Sequence, residues 1–204
     1  MKNVIKDAMI LFAITLVAGL LLGVVYDVTK APIAAQKEKA KTEACQNVFA
    51  EAASFEAYEG FTAEAASAVL TESGITDADI DEVMIAKDAS GTVVGYVITV
   101  SSHEGYGGDI QFTMGLTNDG LLNGISLLAI AETPGLGMKA EDVIVPQFVN
   151  KQAESFSVTK TGAVDDSQID AISGATITSD AIVNGVNGGL VYFQNVLKGG
   201  SANE

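Results

Sequence analysis

The stretch Asp170-Ala171-Ile172-Ser173-Gly174-Ala175-Thr176-Ile177-Thr178-Ser179 gathers small residues, hydroxyls and a glycine just before an apolar helical pattern. Such a segment suits an anion, a phosphate above all. Main chain can come close at the glycine, the first N–H groups of a helix lack partners, and the helix dipole favours negative charge. The plainer alternative is that Thr178 or Ser179 simply caps the helix. No lysine follows the glycine, so the segment is not a Walker loop. A second candidate lies upstream, at Glu132-Thr133-Pro134-Gly135-Leu136-Gly137. Pro134 fixes φ, Gly135 and Gly137 permit close backbone approach, and Leu136 offers apolar contact. Such a loop could lay main chain against a planar ring, or it could be an ordinary tight turn after a strand. Glu132 either accepts a hydrogen bond from a ligand N–H or faces solvent.

Residue counts exclude much other chemistry. One cysteine, Cys45, rules out an internal disulfide, a CxxC pair and a multi-Cys zinc or iron–sulfur site within the chain. One histidine, His103, rules out a multi-His metal site, and no hydrolase triad can be assembled. No metal site is expected and no residue is assigned to catalysis; the chemistry belongs to a cofactor. His103 suits a strand-end hydrogen bond. Cys45 suits a small buried hydrophobe or a free thiol.

The elements that must position these residues follow from charge and hydropathy. Of 204 residues 48% are hydrophobic and mean hydropathy is +0.32, yet the net charge is −15. The two properties occupy different places. Ala8 to Val25 is 18 residues without a charge, whereas Glu43 to Glu204 holds 23 of the 26 acids against five lysines. All the basic residues are lysines, and the acidic part repels polyanions, so nucleic acid is not an expected partner. At about 1.5 Å per residue the apolar run reaches roughly 27 Å, close to a ~30 Å hydrocarbon core, with Tyr26 at the interface. It is long for a signal peptide and reads as a retained membrane anchor. Lys2 and Lys6 precede it and Lys30, Lys37, Lys39 and Lys41 follow it, so lysine count alone leaves the orientation open.

Lys30 to Phe49 reads as a linker helix, and Phe49 to Ser73 as irregular with a short helix. Strands are expected at Glu82 to Lys87, Val93 to Ser101, Ile110 to Thr117 and Leu121 to Ile130, with Asn118-Asp119-Gly120 as a hairpin turn. Ser179 to Leu197 is helical, with Gly199-Gly200 ending it and a frayed tail after it. The expected organisation is an anchor over 1–28, a linker over 29–71, an α+β domain with antiparallel hairpins and a C-terminal helix over 72–200, and a tail over 201–204.

On these residues the chain resembles a known family. Asp170-x-x-Ser173-Gly174-Ala175-Thr176 is similar to the flavinylation motif of the FMN-binding domains in the G subunit of Rnf complexes and the C subunit of Na+-translocating NADH:quinone reductases. In that family a flavin transferase joins the phosphate of FMN to the hydroxyl of the motif's last threonine, which falls on Thr176. The resemblance implies that Ser173, Gly174, Ala175 and Thr178 surround the phosphoester. It also implies that Glu132, Thr133, Pro134, Gly135, Leu136 and Gly137 form the loop beside the flavin. Gly105-Tyr106-Gly107-Gly108 and the short chain look more like the Rnf protein. The likeness extends over the anchor and residues 81–197. It implies a non-autonomous electron-carrier subunit with covalent FMN in a membrane ion-translocating ferredoxin:NAD+ oxidoreductase. Its partners would be the other membrane and redox subunits and, during maturation, a flavin transferase. The family places the N-terminus in the cytoplasm and the flavin domain outside. Rival readings are the C-type subunit of the quinone reductase, a stand-alone extracytoplasmic flavin reductase, and a non-flavin binding or assembly module.

Overall fold

A computed structural model describes residues 2–198. By internal contacts the chain separates into two units, Met1–Lys41 and Thr42–Glu204. From Lys2 onward the first unit is helix. It forms most of α1, Lys2–Val48, which includes Pro32 within its length. Its most apolar stretch has a mean hydropathy of 2.7 and none of it is buried. Leu11, Phe12, Leu16, Leu21 and Val25 are all more than half exposed. Side chains of this kind, exposed along a helix of this length, match a hydrocarbon solvent. Among the described residues this is the one helix long and apolar enough to cross a membrane.

The second unit is built on a five-stranded antiparallel meander, in the order β1 (Ser54–Ala57), β2 (Ala78–Lys87), β3 (Val93–Ser102), β4 (Ile110–Thr117) and β5 (Leu122–Ala129). The Asn118-Asp119-Gly120 turn closes β4 onto β5: Gly120 N–H donates to Thr117 O at 3.0 Å, and Gly120 adopts φ +90°. Alternation along β3 sends its side chains to two cores. Tyr96, Ile98 and Val100 join the larger one, beneath α2 (Ala63–Glu72) and α4 (Thr176–Tyr192). Val97 points the other way and packs with Cys45, Val48, Phe49 and Ala52, so the last turns of α1 lie on the opposite face. Glycine makes that approach possible. A β-carbon on Gly115 would sit 2.4 Å from Val48 O, and one on Gly95 would sit 2.8 Å from the Phe49 ring.

The structure corrects several expectations. Residues 49–73 hold an edge strand as well as the short helix, and β2 begins at Ala78 rather than Glu82. After β5 the chain makes a 3₁₀ turn (Gly137–Lys139), a short helix α3 (Ala140–Val143) and a second 3₁₀ turn (Val145–Phe148). A small parallel pair follows, β6 (Ser157–Thr159) with β7 (Gln168–Asp170). The C-terminal helix starts at Thr176, three residues before the expected Ser179, and widens into a π turn over Phe193–Leu197. Gly199-Gly200 and the tail at 201–204 lie outside the described residues.

Candidate functional site

The acceptor-like segment begins on β7. Asp170 pairs with Thr159, and the next N–H, from Ala171, donates to Thr159 O at 2.8 Å. The chain then turns: Ala175 N–H bonds Ile172 O at 3.0 Å, and Gly174 takes φ +79°, a conformation that disfavours any side chain. Ser179 does not cap α4. Its buried hydroxyl reaches back, accepting from Ile172 N–H at 3.0 Å and donating to Ala175 O at 2.9 Å. The N-cap residue is Ala175, which has no capping side chain, so Thr178 does not cap either. The N–H groups of Thr176, Ile177 and Thr178 therefore donate to nothing among the described residues. Three aligned free donors at a helix start form an anion seat. The half-buried Thr176 hydroxyl stands at that same start.

The other loop lies against it. Thr133 O accepts from Leu136 N–H at 3.1 Å and Met138 N–H at 3.3 Å, while Gly135 takes φ +79°. Glu132 neither faces solvent nor points freely into the cleft. It is 6% exposed, and its Oε1 accepts from Gly107 N–H at 3.1 Å. That bond ties the Gly105-to-Gly108 loop to Glu132. A β-carbon on Gly137 would lie 2.6 Å from Thr178 Oγ1 and 2.7 Å from Glu132 Cβ, so loop and helix abut with no room for a methyl group. Likewise a β-carbon on Gly174 would meet Leu136 Cδ2 at 3.2 Å.

Between the two segments opens a cleft of about 580 Å³. Gly174, Ala175, Thr176 and Thr178 line one side, and Glu132, Thr133, Leu136 and Gly137 the other. Ser173, Pro134 and Gly135 are outside the lining. Tyr106 and Ile177 line it too, although neither stands among the residues expected there from sequence. A signal was present for one of them, since Tyr106 sits between two glycines in a loop that carries part of the family resemblance. Tyr106, Leu136 and Ile177 are 71, 42 and 52% exposed. Large apolar side chains gathered in one cleft mark a ligand surface.

His103 lies outside this cleft. Nδ1 is 3.0 Å from Asp109 and Nε2 is 3.0 Å from Asp79, and the hydrogen bond to Asp109, then that to Asp79, raises its pKa above the usual histidine value. Cys45 is buried beneath the sheet, 3.9 Å from Met84 Sδ.

Two protein families match the sequence. The RnfG N-terminal region family matches residues 1–48, and the FMN-binding domain family matches residues 105–191, which include both sides of the cleft. The chain is 36% identical over 200 residues to the G subunit of the Na+-translocating ferredoxin:NAD+ oxidoreductase complex of Acetobacterium woodii, covering 97% of this chain and 95% of that one. This chain belongs to the RnfG family. It is also 32% identical over 195 residues to the G subunit of the ion-translocating oxidoreductase complex of Methanosarcina acetivorans, covering 94% of this chain and 95% of that one. Among solved structures, Shewanella oneidensis NqrC aligns with a TM-score of 0.47 at 23% identity, over 57% of this chain and 58% of that one.

FMN presents a dianionic phosphate on a flexible ribityl arm and a broad planar ring, and the cleft of this RnfG-family chain has a counterpart for each. The uncapped start of α4 suits the phosphate. The exposed faces of Tyr106, Leu136 and Ile177 suit the ring. Glycines at 137 and 174 let the two sides of the cleft approach each other closely.

Proposed function

We propose that this chain is the membrane-anchored electron carrier of an Rnf-type ion-translocating complex, with FMN joined through its phosphate to Thr176 Oγ. One observation carries the attachment site. Thr176 is the lining residue that combines a hydroxyl with the first position of an uncapped helix, so phosphate oxygens on that hydroxyl meet three free N–H donors. Bound FMN supplies hydride or one-electron transfer. The chain's own residues do the rest. The helix start seats the phosphate, Leu136, Ile177 and Tyr106 cover the ring, and buried Glu132 holds the Gly105-to-Gly108 loop in place.

The relatives' names supply the context: ferredoxin and NAD+ as the redox couple, and ion translocation as the work done. The resemblance adds a flavin transferase as the maturation partner and an outward-facing flavin domain behind the α1 anchor. A covalent bond suits such a placement, because cofactor lost outside has no cytoplasmic pool to replace it.

Intact-mass measurement on protein from its native membrane tests the attachment. A mass increased by one FMN less one water, mapped by digestion to Thr176, is the expected result. An adduct on Ser173 or Thr178, or no adduct, overturns it. An Asp119→Cys variant tests the side: labelling in intact cells is expected, and labelling only after lysis reverses the topology.

A further inference from the structure

Gln147 belongs to no motif, yet its side chain makes an unusually complete set of contacts. Oε1 accepts from the backbone N–H of Asp170 at 2.7 Å, and Nε2 donates to the carbonyl of the same Asp170 at 3.1 Å. The second hydrogen on Nε2 goes to Val143 O at 2.7 Å. These partners also fix the orientation of the amide, because turning it over would set Oε1 against two carbonyls and Nε2 against an N–H. The carboxamide thus acts towards Asp170 as a neighbouring strand would. β6 supplies the neighbour on the other edge, pairing Thr159 with Asp170. The side chain is itself well anchored. It projects from the Val145–Phe148 turn, whose Phe148 is fully buried and meets Phe156 edge-on at 5.1 Å.

Asp170 opens the segment that ends at Thr176. Downstream, the Ser179 hydroxyl bonds Ile172 N–H and Ala175 O, locking the second half of the loop. The segment is therefore held at its start by Gln147 and near its end by Ser179. We propose that Gln147 is a positioning residue for flavin attachment, fixing Asp170 so that the loop presents Thr176 Oγ in a set place to the modifying enzyme. The proposal rests on the reading that Thr176 carries FMN.

The step being positioned is a transfer at phosphorus. Thr176 Oγ forms a new O–P bond as the pyrophosphate P–O bond of a flavin dinucleotide breaks. The nucleoside monophosphate leaves with that bonding pair, the hydroxyl proton is released, and no oxidation state changes. An activated pyrophosphate donor is required because simple condensation of a phosphate with an alcohol is uphill in water. An in-line displacement is sensitive to placement: an error of about 1 Å can cost on the order of 10²-fold in rate. Without the clamp, the loop's upstream end would be held from one edge only.

The test uses the full-length protein in detergent, made without flavin transferase and then incubated with the transferase and flavin adenine dinucleotide. Fluorescence of acid-precipitated chain is followed over time. Gln147→Met keeps side-chain length but makes no amide bonds, and it is expected to load at least tenfold more slowly than wild type. Ile80→Val, a core change in β2, serves as a control for lost stability and should load at the wild-type rate. Gln147→Asn withdraws the amide by one methylene and should also slow loading, so it replaces the methionine variant if that one does not fold. Hydrogen exchange on the unmodified wild type supplies an independent reading, with the Asp170 amide expected to be protected. Wild-type loading in Gln147→Met, equal slowing in Ile80→Val, or a freely exchanging Asp170 amide would overturn the clamp. A wild-type chain that takes no flavin at all would instead sink the covalent reading.

Discussion

Residues 170–176 and residues 132–137 face each other across one cleft, but their backbones are held in different ways. The first segment is fixed by side-chain hydrogen bonds, from Gln147 far upstream and from Ser179 just downstream. The second makes its own local turn, in which Thr133 O accepts from Leu136 and Met138, and is then pressed against α4 by a glycine at 137 that leaves no space for a methyl group. A segment held by directional bonds keeps a chosen atom in place while its surface stays open to another protein. A segment held by contact keeps a smooth, close face. The first arrangement suits attachment and the second suits shaping what is attached.

That contrast can be broken experimentally, beginning with the largest effect. Thr176→Ala is expected to abolish covalent flavin while the far-ultraviolet circular dichroism stays unchanged, since the side chain makes no hydrogen bond among the described residues. Denatured, acid-washed protein should be colourless. Gly137→Ala should act in the opposite sense. The added carbon meets Thr178 and Glu132 at under 3 Å, so stability should fall by about 1–3 kcal/mol on thermal or urea unfolding. Covalent loading should persist with an altered flavin spectrum, and loss of loading instead would mean that the two sides of the cleft are not separable.

Leu136→Ala is milder, because the residue is 42% exposed and its replacement strains no backbone. Flavin should remain on Thr176 with a shifted absorbance band or midpoint potential. A spectrum and potential like wild type would remove this side of the cleft from the flavin site. The smallest expected effect concerns His103. Its pKa is raised in the folded state, so the stability it contributes is full below about pH 6.5, the ordinary histidine value, and is lost as pH rises through the folded value. Melting temperature should therefore decline more between about pH 6 and 8 in wild type than in His103→Gln. The groups are well exposed to water, so the difference should be modest.

The central hairpins were legible because each strand carries its own apolar alternation and its own turn signal, as Asn118-Asp119-Gly120 does. β1 was not, since Ser-Phe-Glu-Ala is four residues with one large apolar side chain. β6 and β7 are three residues each and pair in parallel across an intervening loop, which leaves no local period to detect. The turns between 137 and 148 contain Gly137 and Pro146 and are too short for helical periodicity. Both sides of the cleft could be read because hydroxyls, glycines and proline announce tight backbone locally. The inward fold of Glu132 and the Gln147 clamp could not. Each joins residues more than twenty positions apart, a pairing that no local pattern in the sequence records.

The order of the acceptor's parts along the chain has a consequence for biosynthesis. α1 is made first, whereas the acceptor loop needs Gln147, then β6 and β7, and finally Ser179 on α4, whose buried face is not complete until Leu190 and Tyr192 have been added. Translation runs from the N-terminus at about 5–20 residues per second, so the apolar helix is available to a membrane well before the loop can take its shape. A nascent chain therefore has no finished acceptor to offer. On the proposed attachment at Thr176, flavin loading would follow synthesis of α4, in whichever compartment the folded unit has by then reached.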